Sequence, residues 1–160
     1  MAQGAALSVS RLYPDRPILA ASIAVFRAGH VLLGLRKNPP AVEVFSLPGG
    51  VVELGERLED AALRELFEET GVTAKILGFV GHTQVIEKDE AGKVRRHFIV
   101  ASFAAHWLSG EGTPSAEAPQ LKWIDPQNLG DLPVTPNLPH ILAEAVKLIG
   151  QAEKNTGRHA

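Results

Sequence analysis

Residues 50–72 read GVVELGERLEDAALRELFEETGV, and this stretch decides how the rest of the chain must be arranged around it. Leu58, Ala62, Leu63, Leu66 and Phe67 recur at helical spacing, and Gly71 stands where a helix would stop. The spacing therefore predicts a helix over 58–70. Successive residues of a helix advance by about 100°, so Glu65, Glu68 and Glu69, at i, i+3 and i+4, share one face. Leu63, Leu66 and Phe67 are expected on the opposite side, against a core. Ala61 falls on the acidic face, where a methyl group leaves room for a ligand. Like charges at this spacing destabilise a helix by about 0.2–0.5 kcal/mol per pair, so a cation is expected at that face. The chain has no Cys, which leaves oxygen and imidazole as ligands and makes hard divalent ions, Mg2+ or Mn2+, the natural candidates.

The flanks read mostly as strands. Ile18–Phe26 and His30–Leu35 are apolar and β-branched, and Arg27-Ala28-Gly29 between them reads as a hairpin turn. Phe45-Ser-Leu-Pro-Gly49-Gly50 reads as a loop whose Pro and paired Gly leave backbone groups open to a ligand. Val72–Glu87 and Lys93–Leu108 read as a long hairpin turning at Asp89-Glu90-Ala91-Gly92. Ser109–Pro119 reads as a mobile loop and Leu121–Ile124 as a short strand. Thr135-Pro136 reads as an N-cap and helix-starting proline, with Leu138, Ile141, Leu142, Ala145, Leu148 and Ile149 continuing a closing helix. Consecutive hairpins with two inserted helices point to an α+β fold, an α/β/α sandwich around a mixed sheet. One domain over 1–160 is expected, with its core at about 17–152 and a frayed tail at 154–160.

Composition excludes several classes. At 160 residues, 45% hydrophobic and 21% charged, the chain is too apolar for a disordered one and too short for two ordinary domains. The absence of Cys removes disulfide scaffolds, thiolate metal sites and cysteine nucleophiles. A formal charge of −2 gives no basic excess for stable nucleic-acid binding. The average conceals seven acids against two bases between Glu53 and Glu69, with a mildly basic remainder. Met1–Arg16 lacks the pattern of a leader, and Ile18–Phe26 is far short of the roughly 20 residues that span a bilayer, so a cytoplasmic protein is expected.

The segment Gly50–Val72 resembles the Nudix box. In that pattern Gly50 is followed after five residues by Glu56, after seven more by Arg64-Glu65, then Leu66, any residue, Glu68-Glu69, any residue, Gly71 and Val72. Every fixed position is matched, and the strand order and length around the box also resemble a whole small Nudix domain. The resemblance implies an enzyme that hydrolyses a nucleoside diphosphate linked to another group, a nucleoside triphosphate or an ADP-ribose-like nucleotide, by water attack on phosphorus. It implies that Glu65, Glu68 and Glu69 bind Mg2+, or Mn2+, together with the Gly49 carbonyl, and that Glu56 and Arg64 orient the cluster. A guanidinium can hold a carboxylate in a two-point fork. One departure stands out. Similar sequences commonly carry Thr or Ser after the first Glu, where Arg57 stands here, so the helix cap is expected from Asp60 or Glu59.

Outside the box, the family pattern implies a further acid from the loop before the late Trp123 strand. Glu117 is the first candidate, as fourth ligand or general base, and Glu111 the second. Arg36 is a candidate for substrate phosphate, Gly50 lines the substrate approach, and Phe45 is a candidate for base stacking beside its alternative as a core aromatic. Lys93, Arg95 and Arg96 read as a solvated basic patch, and the six His show no metal-binding spacing. The isomerase branch of the same fold relies on a catalytic cysteine, which this chain lacks. A non-catalytic nucleotide-binding module remains the alternative, against which the intact glutamates count. Gln84-Val85-Ile86-Glu87 stands where many ADP-ribose hydrolases carry a proline, so the substrate is left open. Small members are often dimers, and no feature of this chain fixes its assembly.

Overall fold

In the computed structural model the described residues are 10–158. Residues 1–9 and the last two, on which parts of the leader and tail expectations fall, lie outside them. The elements run β1 (Ile18–Arg27), β2 (His30–Leu35), β3 (Phe45–Ser46), β4 (Gly49–Val51), α1 (Leu58–Thr70), β5 (Thr73–Lys88), β6 (Val94–Ser109), β7 (Leu121–Ile124) and α2 (Leu138–Gly157). The strands form one mixed sheet in the order β3-β2-β1-β6-β5, with β4 added to β1 and β7 to β2. β1 and β6 pair in parallel, and β5 with β6 antiparallel.

β1 reads as a continuous apolar run because both its faces are covered. Ala21, Ile23 and Val25 pack with Ala61, Ala62 and Leu66 of α1. Ala24 and Phe26, on the other face, pack with Leu138, Leu142 and Ala145 of α2. The helices therefore lie on opposite sides of the sheet, as the expected α/β/α sandwich requires. No described helix is long and apolar enough to cross a membrane.

Three local expectations change. Among the described residues helix α1 has no side-chain cap, from Asp60, Glu59 or elsewhere: Arg57 occupies the cap position in extended conformation and contributes only its carbonyl, to Ala61 N–H at 3.0 Å. The chain at Thr135 is held in the sheet layer instead, its N–H donating to Phe45 O at 3.1 Å. Helix α2 consequently starts at Leu138, with Pro139 rather than Pro136 as the early proline, and it continues through the expected frayed residues to Gly157. The anticipated loop at 45–50 contains β3 and β4. Since β4 and β2 pair with β1 at different heights, Ala20–Ser22 against Val51–Gly49 and Phe26–Arg27 against Val31–His30, the sheet splays open between them.

Candidate active site

A cleft of about 680 Å³ opens at this splay, lined by Gly34–Ala41, Ser46–Val51, the glutamates of α1, Glu117 and the start of α2. The pairing of β4 with β1 dictates what its backbone offers. Val52 N–H donates to Leu19 O and Pro48 O accepts from Ile23 N–H, both at 3.0 Å. Antiparallel ladders alternate, so Gly50 faces β1 while Gly49 and Val51 turn their N–H and C=O groups away from it. Gly49 N–H accordingly faces the Glu69 carboxylate and favours its charged form, and Val51 O accepts from Arg64 Nη2 at 3.1 Å. The alternation turns the Gly49 carbonyl the same way. Gly50 lines the cleft without open backbone groups; a Cβ there would coincide with the Glu65 carboxylate, so glycine is what lets that side chain lie on the strand.

The acidic face and the core face of α1 overlap rather than oppose. The buried residues are Ala61, Ala62, Leu66 and Thr70, and at about 100° per residue Glu65 and Glu69 fall within the same arc. Ala61 is fully buried and brings the helix close to the sheet instead of leaving space for a ligand. Phe67, expected in the core, lies on the outer side and is 59% exposed. Leu63 packs on the core from the flank.

Arg64 ties the cluster together. Its Nε and Nη2 fork onto Glu56 at 2.7 and 3.0 Å, and its Nη1 reaches Glu65 at 2.8 Å and Glu68 at 3.2 Å. Glu56 also accepts the Glu53 N–H at 2.9 Å. The guanidinium, with that N–H, holds the Glu56 carboxyl down at about 2, and the carboxylates in turn raise Arg64. Glu65 is raised, mainly by burial. Glu69 has no such partner. Burial, then the charges of Glu65 and Glu117, push it up to about 8 despite the Gly49 N–H and Arg36.

Glu117 comes from the loop before β7. One carboxylate oxygen each from Glu65, Glu69 and Glu117 lies within 4.8 Å of the others. Glu68, which the box groups with them, is exposed like Glu117 and bonds to Arg64. A set of hard oxygen donors with no His or Cys, in which Glu65 and Glu69 have raised carboxyl pKa values, suits a hard divalent cation.

Arg36 lines the cleft, half-buried, and donates only to backbone carbonyls, to Ala41 O at 3.0 Å and weakly to Asn38 O at 3.5 Å. Phe45 is not a stacking platform: it is 4% exposed in the α2-side core, with the Lys122 ammonium 5.3 Å from its ring. Glu111 is drawn away from the cleft by Arg27 at 2.8 Å. The basic patch is partly paired, Arg95 and Arg96 with Glu87, and Arg96 turns into the cleft. The sequence reading missed Ser22 and Ser102, whose hydroxyls bond at 2.8 Å on the cleft floor. Their signal was a serine interrupting each of two apolar strands that pair in register. Asn137, beside the start of α2, also lines the cleft and had no signal.

The family model described as NUDIX domain matches residues 16–145. The ADP-ribose pyrophosphatase of Methanocaldococcus jannaschii is 34% identical over 122 residues, covering 76% of this chain and 69% of that protein. An RNA pyrophosphohydrolase of Novosphingobium aromaticivorans is 30% identical over 139 residues, covering 74% of this chain and 83% of that one. The crystal structure of a MutT NUDIX hydrolase from Burkholderia pseudomallei aligns with a TM-score of 0.65 at 29% identity, covering 81% of this chain and 98% of the other.

Proposed function

The chain belongs to the Nudix family of hydrolases, and on that premise we propose that it is a Mg2+-dependent pyrophosphohydrolase, with Mn2+ able to substitute. Its substrate would be a nucleoside diphosphate linked to a further group, a nucleoside triphosphate or an ADP-ribose-like nucleotide. The observation that carries this reading is the convergence of Glu65, Glu69 and Glu117 within 4.8 Å in the same cleft as Arg36. The two relatives named above agree on the pyrophosphate linkage and differ in what is attached to it, which supports the reaction class more broadly than any one substrate.

In this reading Glu65, Glu69 and Glu117 hold the cation, with Glu68 and the Gly49 carbonyl at its margin. A bound divalent ion neutralises phosphate charge, lowers the pKa of a coordinated water and stabilises the leaving oxygen. Arg64 and Glu56 fix the direction of the Glu65 carboxylate, so that it meets the ion in one geometry. Arg36, a half-buried guanidinium without a carboxylate partner among the described residues, donates to substrate phosphate. Glu117 is the exposed member and accepts the proton of the attacking water at a carboxylate oxygen.

The test is a panel of nucleoside triphosphates, nucleotide sugars including ADP-ribose, and dinucleoside polyphosphates, incubated with Mg2+ or Mn2+ and scored by product identity. One phosphoanhydride should be cut, and chelation should stop it. If no linkage on the panel is cut with either ion, the chain is a nucleotide-binding module instead.

A further inference from the structure

Glu65 and Glu69 are held by a helix, whereas Glu117 depends on the loop at 110–120 between β6 and β7. That loop is tied down by residues that do not line the cleft. Arg27, at the end of β1, forks onto Glu111 at 2.8 and 3.2 Å. The same guanidinium carbon lies 4.1 Å from the Trp107 ring centroid and 5.9 Å from that of Trp123. Both indole N–H groups donate to the loop itself, Trp107 to Gly110 O at 2.7 Å and Trp123 to Glu111 O at 3.1 Å. Two residues on, Thr113 N–H donates to Thr70 O at 2.7 Å, immediately beyond Glu69. Gly110 lies so close to the Gly71 carbonyl that a Cβ could not fit, and its φ of +91° is one glycine adopts readily.

A lone exposed ion pair would contribute little, and the Glu111 side chain is 82% exposed. Here the cation also stacks on indole, and the indoles hold successive carbonyls of one short segment, so the contacts restrain that backbone jointly. We infer that Arg27, with Trp107 and Trp123, positions Glu117 by fixing the start of its loop against the end of α1. None of the three lines the cleft; they are positioning residues that act through Glu117. The inference rests on the proposed role of Glu117 at the cation.

The chain's two tryptophans both lie in this cluster, so tryptophan emission reports on this one place. Mg2+ titrations of emission and of turnover should be run on the wild type, Arg27→Met, Glu111→Gln, Glu117→Gln and the Arg27→Met/Glu117→Gln double variant. Mg2+ should shift emission in the wild type and not in Glu117→Gln. Arg27→Met should weaken apparent Mg2+ affinity about tenfold, the scale for residues that orient a metal ligand. Turnover should return at high Mg2+ with KM for the nucleotide unchanged, and Glu111→Gln should shift the midpoint less in the same direction. Arg27→Met should add nothing once Glu117 is gone.

Unchanged Mg2+ midpoints in both Arg27→Met and Glu111→Gln, with Glu117→Gln still abolishing the emission response, would overturn the inference alone. So would an Arg27→Met effect that persists in the double variant. If Glu117→Gln alters neither Mg2+ affinity nor turnover, the role proposed for Glu117 fails and the inference falls with it. Should Arg27→Met not fold, Glu111→Gln, altered at an exposed side chain, decides.

Discussion

Glu56 and Glu69 are the same side chain at the two ends of one acidic segment, yet one is held at about 2 and the other pushed up to about 8. Around Glu56 the countercharge is covalent sequence: Arg64 supplies a fork, and the Glu53 N–H a further donor. Around Glu69 the neighbours are Glu65 and Glu117, with the Gly49 N–H and the Arg36 charge set against them. The contrast shows how one short segment, a helix and the turn before it, can carry a structural set and a proposed binding set of carboxylates without different residue types. Position relative to the inward arc of α1 and reach of Arg64 decide which set a glutamate joins. Glu65 belongs to both, bonded to Arg64 at 2.8 Å while grouped with Glu69 and Glu117.

The sharpest way to break the contrast is at Glu69. Glu69→Gln keeps the shape and an acceptor for Gly49 N–H but removes the charge. Turnover should fall by at least about 100-fold, the scale for losing one group that acts directly in the chemistry. The metal-free fold should not be destabilised at neutral pH, because burial already disfavours the anion that is lost. Steady-state kinetics beside a thermal melt would check both. Near-normal turnover would remove Glu69 from the cation site.

At the other pole, Arg64→Met should affect stability before anything else. It deletes the bonds to Glu56, Glu65, Glu68 and Val51 O and leaves partly buried carboxylates unpaired, so a loss of about 3 kcal/mol is expected in denaturant titration. A stable fold with reduced activity alone would mean that Arg64 belongs to the binding set. Glu56→Gln should cost less, about 1–2 kcal/mol, and in a pH-dependent way. The folded-state value of about 2 lies below the ordinary 4.5. The contribution is therefore fully present above about pH 4.5 and lost as pH falls toward 2. Denaturation curves of wild type and variant should differ at pH 6 and converge near pH 2, and a constant gap across that range would contradict the fork.

The structural set was the more legible of the two in the sequence, because its spacing is local. Helical periodicity gives α1, and Glu56 and Arg64 follow at fixed offsets within one segment. The strand pair Val72–Glu87 and Lys93–Leu108 was readable from composition within a residue or so of β5 and β6. What failed depended on distant chain. Phe67 and Ala61 exchanged their expected environments because the rotation of α1 is set by the sheet it packs on, and an acidic residue can share the inward arc where that arc opens into the cleft. Phe45 is buried because Pro133 and Thr135 bond to its backbone, a contact no local pattern announces. The strand at Gly49–Val51 exists only because β2 leaves the β1 edge early. The Arg27 fork on Glu111 joins positions with nothing in the intervening sequence to link them.

The smallest expected effect lies just outside both sets, at the start of α1. Arg57 holds the backbone angles of a capping residue, φ −73° and ψ 153°, but its side chain bonds no helix N–H. The side chain is 77% exposed, and its ion pair with Glu59 is long at 3.9 Å. A positive group at a helix N-terminus also opposes the helix dipole. Arg57→Thr requires no change of backbone and supplies an oxygen to the N–H of Glu59 or Asp60, so stability should rise by about 1 kcal/mol. Turnover should stay the same, since Arg57 touches neither Arg64 nor the cleft. A gain in stability with unchanged kinetics would show that the helix start and the cation site are energetically separate. A change in turnover would show instead that Glu56, the next residue, transmits the cap to Arg64 and through it to Glu65, and the two carboxylate sets would then be one.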